Sequence, residues 1–184
     1  MDVIEAIKTR HSIRKYKSTP VSKDALNTVL EAARWAPSWA NTQCWRFVVV
    51  EDRETRVKLS ETLPETNSAR AGTVEAPVVI VACAVLGKSG YKRGEVMSDK
   101  GDWFMFDTAI AMQNLVLAAH AIGLGTVYIG LFDAKKAAGV LELPEGVVVV
   151  AMTPLGYPEA EGKITKRMEM PEMVFYGKYG KTGA

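Results

Sequence analysis

The sequence predicts an α+β fold, and three observations predict it. Four apolar runs of strand length occur, at residues 46–50, 78–85, 126–131 and 147–152. They are interleaved with five segments of helical period, at 2–9, 22–35, 53–63, 103–122 and 134–141. The order of the two kinds is not the regular strand–helix alternation of a parallel sheet. With 184 residues there is chain for one domain, residues 1–184, at the usual ~150 residues per domain.

Taken in order, residues 2–9 read as a short helix, with Asp2 as N-cap and Val3, Ile4, Ala6 and Ile7 on its buried side. A basic turn follows. Ser22 caps a second helix, in which Ala25, Leu26, Val29, Leu30 and Ala33 recur at helical spacing, and which ends near Trp35, before Pro37. Residues 64–76 are small and polar without a period, which predicts an exposed loop. The continuous apolar run 78–85 predicts a central strand covered on both faces. Residues 87–101, rich in Gly and Lys, have little to bury and suit a lid. The long helix stops at Gly123, as a glycine at that position stops one. Asp133 caps a short helix before the last strand. After Pro158 the chain is basic and aromatic with no core-forming period.

Composition excludes several classes. Hydrophobic residues are 48% and charged residues 24%, as in a soluble globular protein. Lys plus Arg number 23 against 21 Asp plus Glu, too balanced for a dedicated nucleic-acid binder. Two cysteines, Cys44 and Cys83, and two histidines, His11 and His120, leave no disulfide scaffold, no four-ligand zinc site and no His-based metal cluster. The most apolar stretch, 104–122, carries Asp107, Gln113, Asn114 and His120, which are costly at bilayer depth. It is expected to be a buried helix. With no membrane segment and no apolar leader, the expected location is the cytoplasm, with both thiols reduced.

Three stretches carry groups suited to ligand chemistry. Arg10, His11, Ser12 and Arg14 put several donors within five residues, just where a helix ends. Guanidinium forks match phosphate oxygens, so the stretch reads as an anion cradle or as a solvated basic turn. The loop 37–45 contains Ser38, Asn41 and Gln43, whose donors and acceptors suit the edge of a heterocycle, with Trp39 and Trp45 as aromatic walls; the same groups would also serve an ordinary turn. The glycines of 123–130 permit close backbone approach to a ligand, or mark only a helix stop. The phosphate-loop and dinucleotide fingerprints are absent.

In this order the pieces resemble the nitroreductase family of flavoproteins. The motif RHSIRKY near the start, APSWANTQCWRFVVV after the second helix, the strand beginning Ala76-Pro77 and the helix and turn from Asp107 to Thr126 are each similar to that family's segments, across nearly the whole chain. The resemblance implies a central, mainly antiparallel sheet flanked by helices, an intertwined homodimer and one FMN site per subunit built from both chains. It places Arg10, His11, Ser12 and Arg14 on the FMN phosphate, ribityl chain and pyrimidine edge. Pro37, Ser38, Trp39 and Asn41 are placed on the flavin of the other subunit, with Gln43 nearby. Asn67 and Arg70 have a spacing that some relatives use for FMN. Ile129, Gly130 and Leu131 match the segment that turns a backbone N–H toward flavin N5, with Gly130 as donor. Lys166 and Arg167 match a basic pair at the phosphate, and residues 158–184 would dock on the partner. Cys44 stands where the family usually has proline, and Trp39 where it often has a small residue. The implied activity is ping-pong hydride transfer from NAD(P)H through FMN to a nitroaromatic, quinone or similar small acceptor. The alternatives are an FMN store or redox sensor without turnover, or a specialised flavin chemistry of the same family, dehalogenase-like or flavin-fragmenting. No protein acid, base or metal is implied.

Overall fold

A computed structural model describes residues 1–160 and 162–182. In chain order its elements are α1 (Val3–Thr9), α2 (Lys23–Arg34), β1 (Trp45–Val50), α3 (Arg53–Ser60), α4 (Arg70–Glu75), β2 (Val78–Val85), β3 (Tyr91–Lys92), β4 (Glu95–Val96), α5 (Phe104–Ala121), β5 (Gly125–Thr126), α6 (Ala134–Val140), β6 (Val147–Gly156) and α7 (Met170–Met173). The main sheet is antiparallel throughout, in the order β1-β2-β6-β5.

The alternation of side chains along β2 divides the core. Val79, Val81 and Cys83 meet Leu59 of α3, Leu63, Ala69, Ala137 of α6 and Met152 on one face. Val78 and Ile80 meet Val29 and Ala33 of α2 with Leu115, Val116 and Ala119 of α5 on the other. This is why β2 reads as an unbroken apolar run: both faces are dry, and each large side chain so buried contributes about 1.5–3 kcal/mol. Opposite Ala82 and Cys83 the register of β6 shifts from Ala151 to Val149, a bulge at Val150. The helix caps follow their sequence signals. Asp2, Ser22, Asp52 and Asp133 each accept a backbone N–H in the first turn of α1, α2, α3 and α6. α5 ends in a Schellman pair, Gly123 N–H to His120 O at 3.0 Å and Leu124 N–H to Ala119 O at 2.9 Å.

Three expectations are corrected, and a fourth stretch, 87–101, gains a described structure. Residues 64–76 are not all loop: α4 forms there and buries Gly72 and Thr73 between buried Ala69 and Ala76. Its inward face is made of small residues, which gives a sequence no apolar period to read. The strand expected over 126–131 is only β5; Thr126 O accepts from Ile13 N–H, and Ile129 rejoins β6 by exchanging both backbone bonds with Met152. On α1 only Ala6 is buried, while Val3, Ile4 and Ile7 stay more than half exposed because within one chain α1 packs mainly against α5. The stretch 87–101 is a folded flap: β3 pairs with β4, Ser89 is buried, and Trp103 Nε1–H donates to Ser98 Oγ at 2.8 Å. Among the described residues no helix is long and apolar enough to cross a membrane.

Candidate functional site

The chain leaves α1 at Arg10 in extended form, and Ser12 pairs in parallel with Thr126 at the sheet edge. Extended backbone alternates its side chains, so with Ile13 buried, Ser12 and Arg14 face outward. The segment is held from behind by α4. A Cβ on Gly72 would fall 2.3 Å from the Arg14 carbonyl oxygen, so only glycine permits this approach. It is also held by Tyr16, whose hydroxyl donates to Ile13 O at 2.5 Å.

The C-terminal segment returns to the same place. Lys17 N–H donates to Tyr157 O at 2.9 Å and Glu159 N–H to Lys15 O at 3.1 Å, which lays the chain after β6 along residues 15–17. Arg10, His11, Ser12 and Arg14 then share a cavity of about 230 Å³ with Lys163, Thr165 and Arg167. Arg167 is set by its bonds to Thr165 O and Oγ1, both 2.6 Å. Among the described residues none of the ion pairs involves these three arginines or Lys163. Three guanidinium groups, an ammonium and two hydroxyls around one small cavity make an anion site, and they fit a phosphate monoester. Lys163 and Thr165 escaped sequence reasoning because nothing in a tail without a period marks them. Lys166 is exposed and does not line the cavity.

Two histidines meet at the cradle, His11 in its lining and His120 against His11. His11 Nδ1 is 2.8 Å from Thr9 O, and Gly162 N–H donates to His11 Nε2 at 3.1 Å. His120 meets the edge of His11 at 5.9 Å between centroids and lies 2.8 Å from Thr9 Oγ1. Burial, reinforced by His11 and Arg10, holds His120 below the ordinary histidine range.

Beyond this cradle, Asn67 Nδ2 donates to Leu131 O at 3.2 Å, which ties the 129–131 segment to the start of α4, where Arg70 is half-buried. Ile129 is buried; Gly130 and Leu131 are exposed. A Cβ at Gly130 would touch nothing within 4 Å, and among the described residues its N–H has no acceptor. An exposed backbone donor without a partner is a group that a ligand edge can meet.

The loop 37–45 is built separately. Ala40, Asn41 and Gln43 have φ of 44°, 55° and 47°, three non-glycine residues in the left-handed region. Ser38 Oγ accepts from Gln43 N–H at 3.0 Å, and Gln43 Nε2 donates to Asn41 Oδ1 at 3.1 Å. Asp107 anchors the loop. It is 1% exposed, its two oxygens accept Trp39 N–H at 3.1 Å each, and one accepts Ser89 Oγ–H at 2.6 Å. Its signal in the sequence is a lone carboxylate in a mostly apolar helix. Pro37, Ser38 and Trp39 line an apolar pocket of about 260 Å³ with Trp103, Phe106 and Ile110. Trp45 is no wall of it: as the first residue of β1 it is buried against Ala36 and Ala111. This pocket and the basic cavity share no lining residue.

The fold and the cradle define a class of α+β proteins whose antiparallel sheet is covered by helices on both faces and carries a basic cavity near its edge, and comparison with known proteins gives that class a name. The profile of the Nitroreductase family matches residues 7–157. A Thermus thermophilus protein named NADH dehydrogenase is 32% identical over 201 aligned positions, covering 96% of this chain and 96% of its own. The crystal structure of a nitroreductase family protein from Clostridium novyi NT is 33% identical, with a TM-score of 0.77 over 99% of this chain and 97% of that one. The NADPH:FMN oxidoreductase of Vibrio harveyi, solved in complex with NAD+, has a TM-score of 0.85 at 27% identity over 98% of this chain and 79% of that one. The chain belongs to the nitroreductase family.

Proposed function

We propose that this chain is an FMN-dependent NAD(P)H oxidoreductase that works as a homodimer. The observation that carries the reading is the convergence of Arg10, Ser12 and Arg14 with Lys163, Thr165 and Arg167 on one small cavity. That donor set fits the terminal phosphate of FMN. The sequence carries no dinucleotide fingerprint for the adenylate of FAD. Bound there, FMN would accept a hydride from NAD(P)H and pass its electrons on to a nitroaromatic, quinone or similar small acceptor in a separate half-reaction.

The chain's own residues hold and orient. Arg10, Arg14 and Arg167 neutralise the phosphate, and Ser12 adds a neutral donor. Gly130 offers its free N–H to the ring edge. Asn67 fixes that segment through Leu131, and Arg70 stands beside it. The loop Pro37–Gln43 lies apart from the cradle within one chain, so a two-fold partner is the means of bringing Ser38, Trp39 and Asn41 to the ring. No side-chain nucleophile or base is needed, since binding and placement are the protein's share.

The test is the absorption spectrum of the purified protein, mass spectrometry of what it releases on unfolding, and bleaching by NADH and by NADPH with a quinone present. One FMN per chain, reduced and turned over, is expected. FAD, or no flavin, overturns the assignment; FMN that neither nucleotide reduces turns the protein into a store or sensor. Arg10→Ala and Arg167→Ala should each weaken FMN binding by ~1.5–3 kcal/mol, roughly ten- to a hundred-fold. Unchanged FMN retention in both would mean that the phosphate lies elsewhere.

A further inference from the structure

The His11 ring has no donor left for a ligand. Its Nδ1 faces the Thr9 carbonyl at 2.8 Å, and a carbonyl only accepts, so Nδ1 carries the proton. Nε2 therefore presents a lone pair, which the Gly162 N–H occupies at 3.1 Å. The contact is intimate: a Cβ on Gly162 would fall 2.1 Å from His11 Cδ2. The ring is buttressed by His120. Thr9 Oγ1–H donates to Glu5 O at 2.7 Å, so the 2.8 Å contact to His120 Nε2 has the imidazole N–H donating to Thr9.

Among the described residues, every hydrogen bond made by residues 163–182 stays within the tail, from Arg167 to Thr165 through Tyr176 to Lys181. The Gly162–His11 bond is thus, among the described residues, the last hydrogen bond joining the body of the protein to the segment that supplies Lys163, Thr165 and Arg167.

We infer that His11 is a positioning residue: it pins Gly162 and so holds Lys163, Thr165 and Arg167 opposite Arg10 and Arg14, instead of touching the phosphate itself. The inference rests on the FMN reading of that cavity, and its test has one arm that needs no FMN. In the first arm, flavin-stripped protein is digested briefly with trypsin and the cuts after Lys163, Lys166 and Arg167 are followed by mass spectrometry. His11→Ala should speed those cuts about tenfold with little change elsewhere in the chain, and His11→Gln, whose side-chain oxygen can accept the Gly162 N–H, should restore much of the protection. Gly162→Ala, which forces the tail off the ring with His11 intact, should reproduce the fast cutting; it keeps the test open if His11→Ala folds poorly. In the second arm, FMN affinity is measured for His11→Ala, Arg167→Ala and the double variant. A residue acting through the tail gives non-additive losses. His11→Ala should weaken FMN about tenfold in the wild-type background and by less than about twofold once Arg167 is gone. Unchanged cutting in both His11→Ala and Gly162→Ala, or fully additive affinity losses, overturns the inference. A wild-type protein that shows the tether in the first arm but binds no FMN overturns the cofactor reading instead.

Discussion

Gly72 shows how much a single hydrogen can decide. In a solvent-facing helix, alanine would be favoured over glycine by about 1 kcal/mol. Here the added methyl would sit 2.3 Å from backbone, the Arg14 carbonyl oxygen, which cannot swing aside. Gly72→Ala is expected to lower stability by ~1–3 kcal/mol in urea unfolding and to loosen FMN through the displaced Arg14. A more stable Gly72→Ala would show that α4 slides freely. The two thiols make a second residue-scale test. Burial pushes Cys44 up to about 11, with the Asp107 carboxylate adding, and burial alone does the same for Cys83. A raised thiol pKa leaves little thiolate at pH 8, so neither should react with a thiol reagent until the protein unfolds. Rapid labelling of the native protein at pH 8 would contradict this. At this scale Arg10 and Arg14 were legible as a basic turn at a helix end, one of whose two readings is an anion cradle, while Arg167 was marked only by the family resemblance. Lys163 and Thr165 were not, because their role depends on where a chain without a period turns back.

Among the elements, α5 was legible in extent and in its glycine stop, and β2 in its bounds, since apolar runs and glycine punctuation are local signals. α4 and the short β5 were not: one buries small residues, and the other ends where Thr126 bonds to Ile13 instead of continuing along β6. The same limit applies to the loop 37–45. Its polar residues were visible, but what holds it was not. Three left-handed non-glycine residues cost about 1–3 kcal/mol each, which the surroundings must offset, and Asp107 on α5 supplies an anchoring contact by accepting the Trp39 N–H. Asp107→Ala would leave the Trp39 N–H and the Ser89 hydroxyl without their acceptor. The expected loss is ~2–4 kcal/mol in urea unfolding, and Asp107→Asn should recover part of it, because the amide oxygen can still accept one of the two. If Asp107→Ala were as stable as the wild type, the loop would have another anchor, and the left-handed residues would need a different account.

At the scale of the whole molecule, the proposed homodimer is argued from apolar groups that the single chain leaves in water. Val3, Ile4 and Ile7 on α1, Met105 and Phe106 on α5, and Met168, Met170 and Met173 in the tail are all more than half exposed in the single chain. A soluble monomer seldom leaves so many large apolar side chains bare. Buried between two copies, they could supply the roughly 800 Å² per partner of an ordinary stable interface, and two-fold symmetry would then complete both sites alike. The tail divides naturally at Arg167: up to there it lines its own chain's cradle, and beyond it offers mostly apolar and aromatic groups. Two truncations separate these jobs. Ending the chain after Arg167 keeps every cradle residue and removes the methionines. That protein should dissociate at micromolar concentration in light scattering and lose flavin as it does so. It should regain both when concentrated, since the loop 37–43 of the second copy returns with the dimer. Ending the chain after Pro158 also removes Lys163, Thr165 and Arg167, so concentration should restore no more than a small part of the flavin. A chain ending at Arg167 that stays dimeric and fully loaded on dilution would show that residues 168–184 are a passive appendage, and the interface would then have to be sought on α1 and α5 alone.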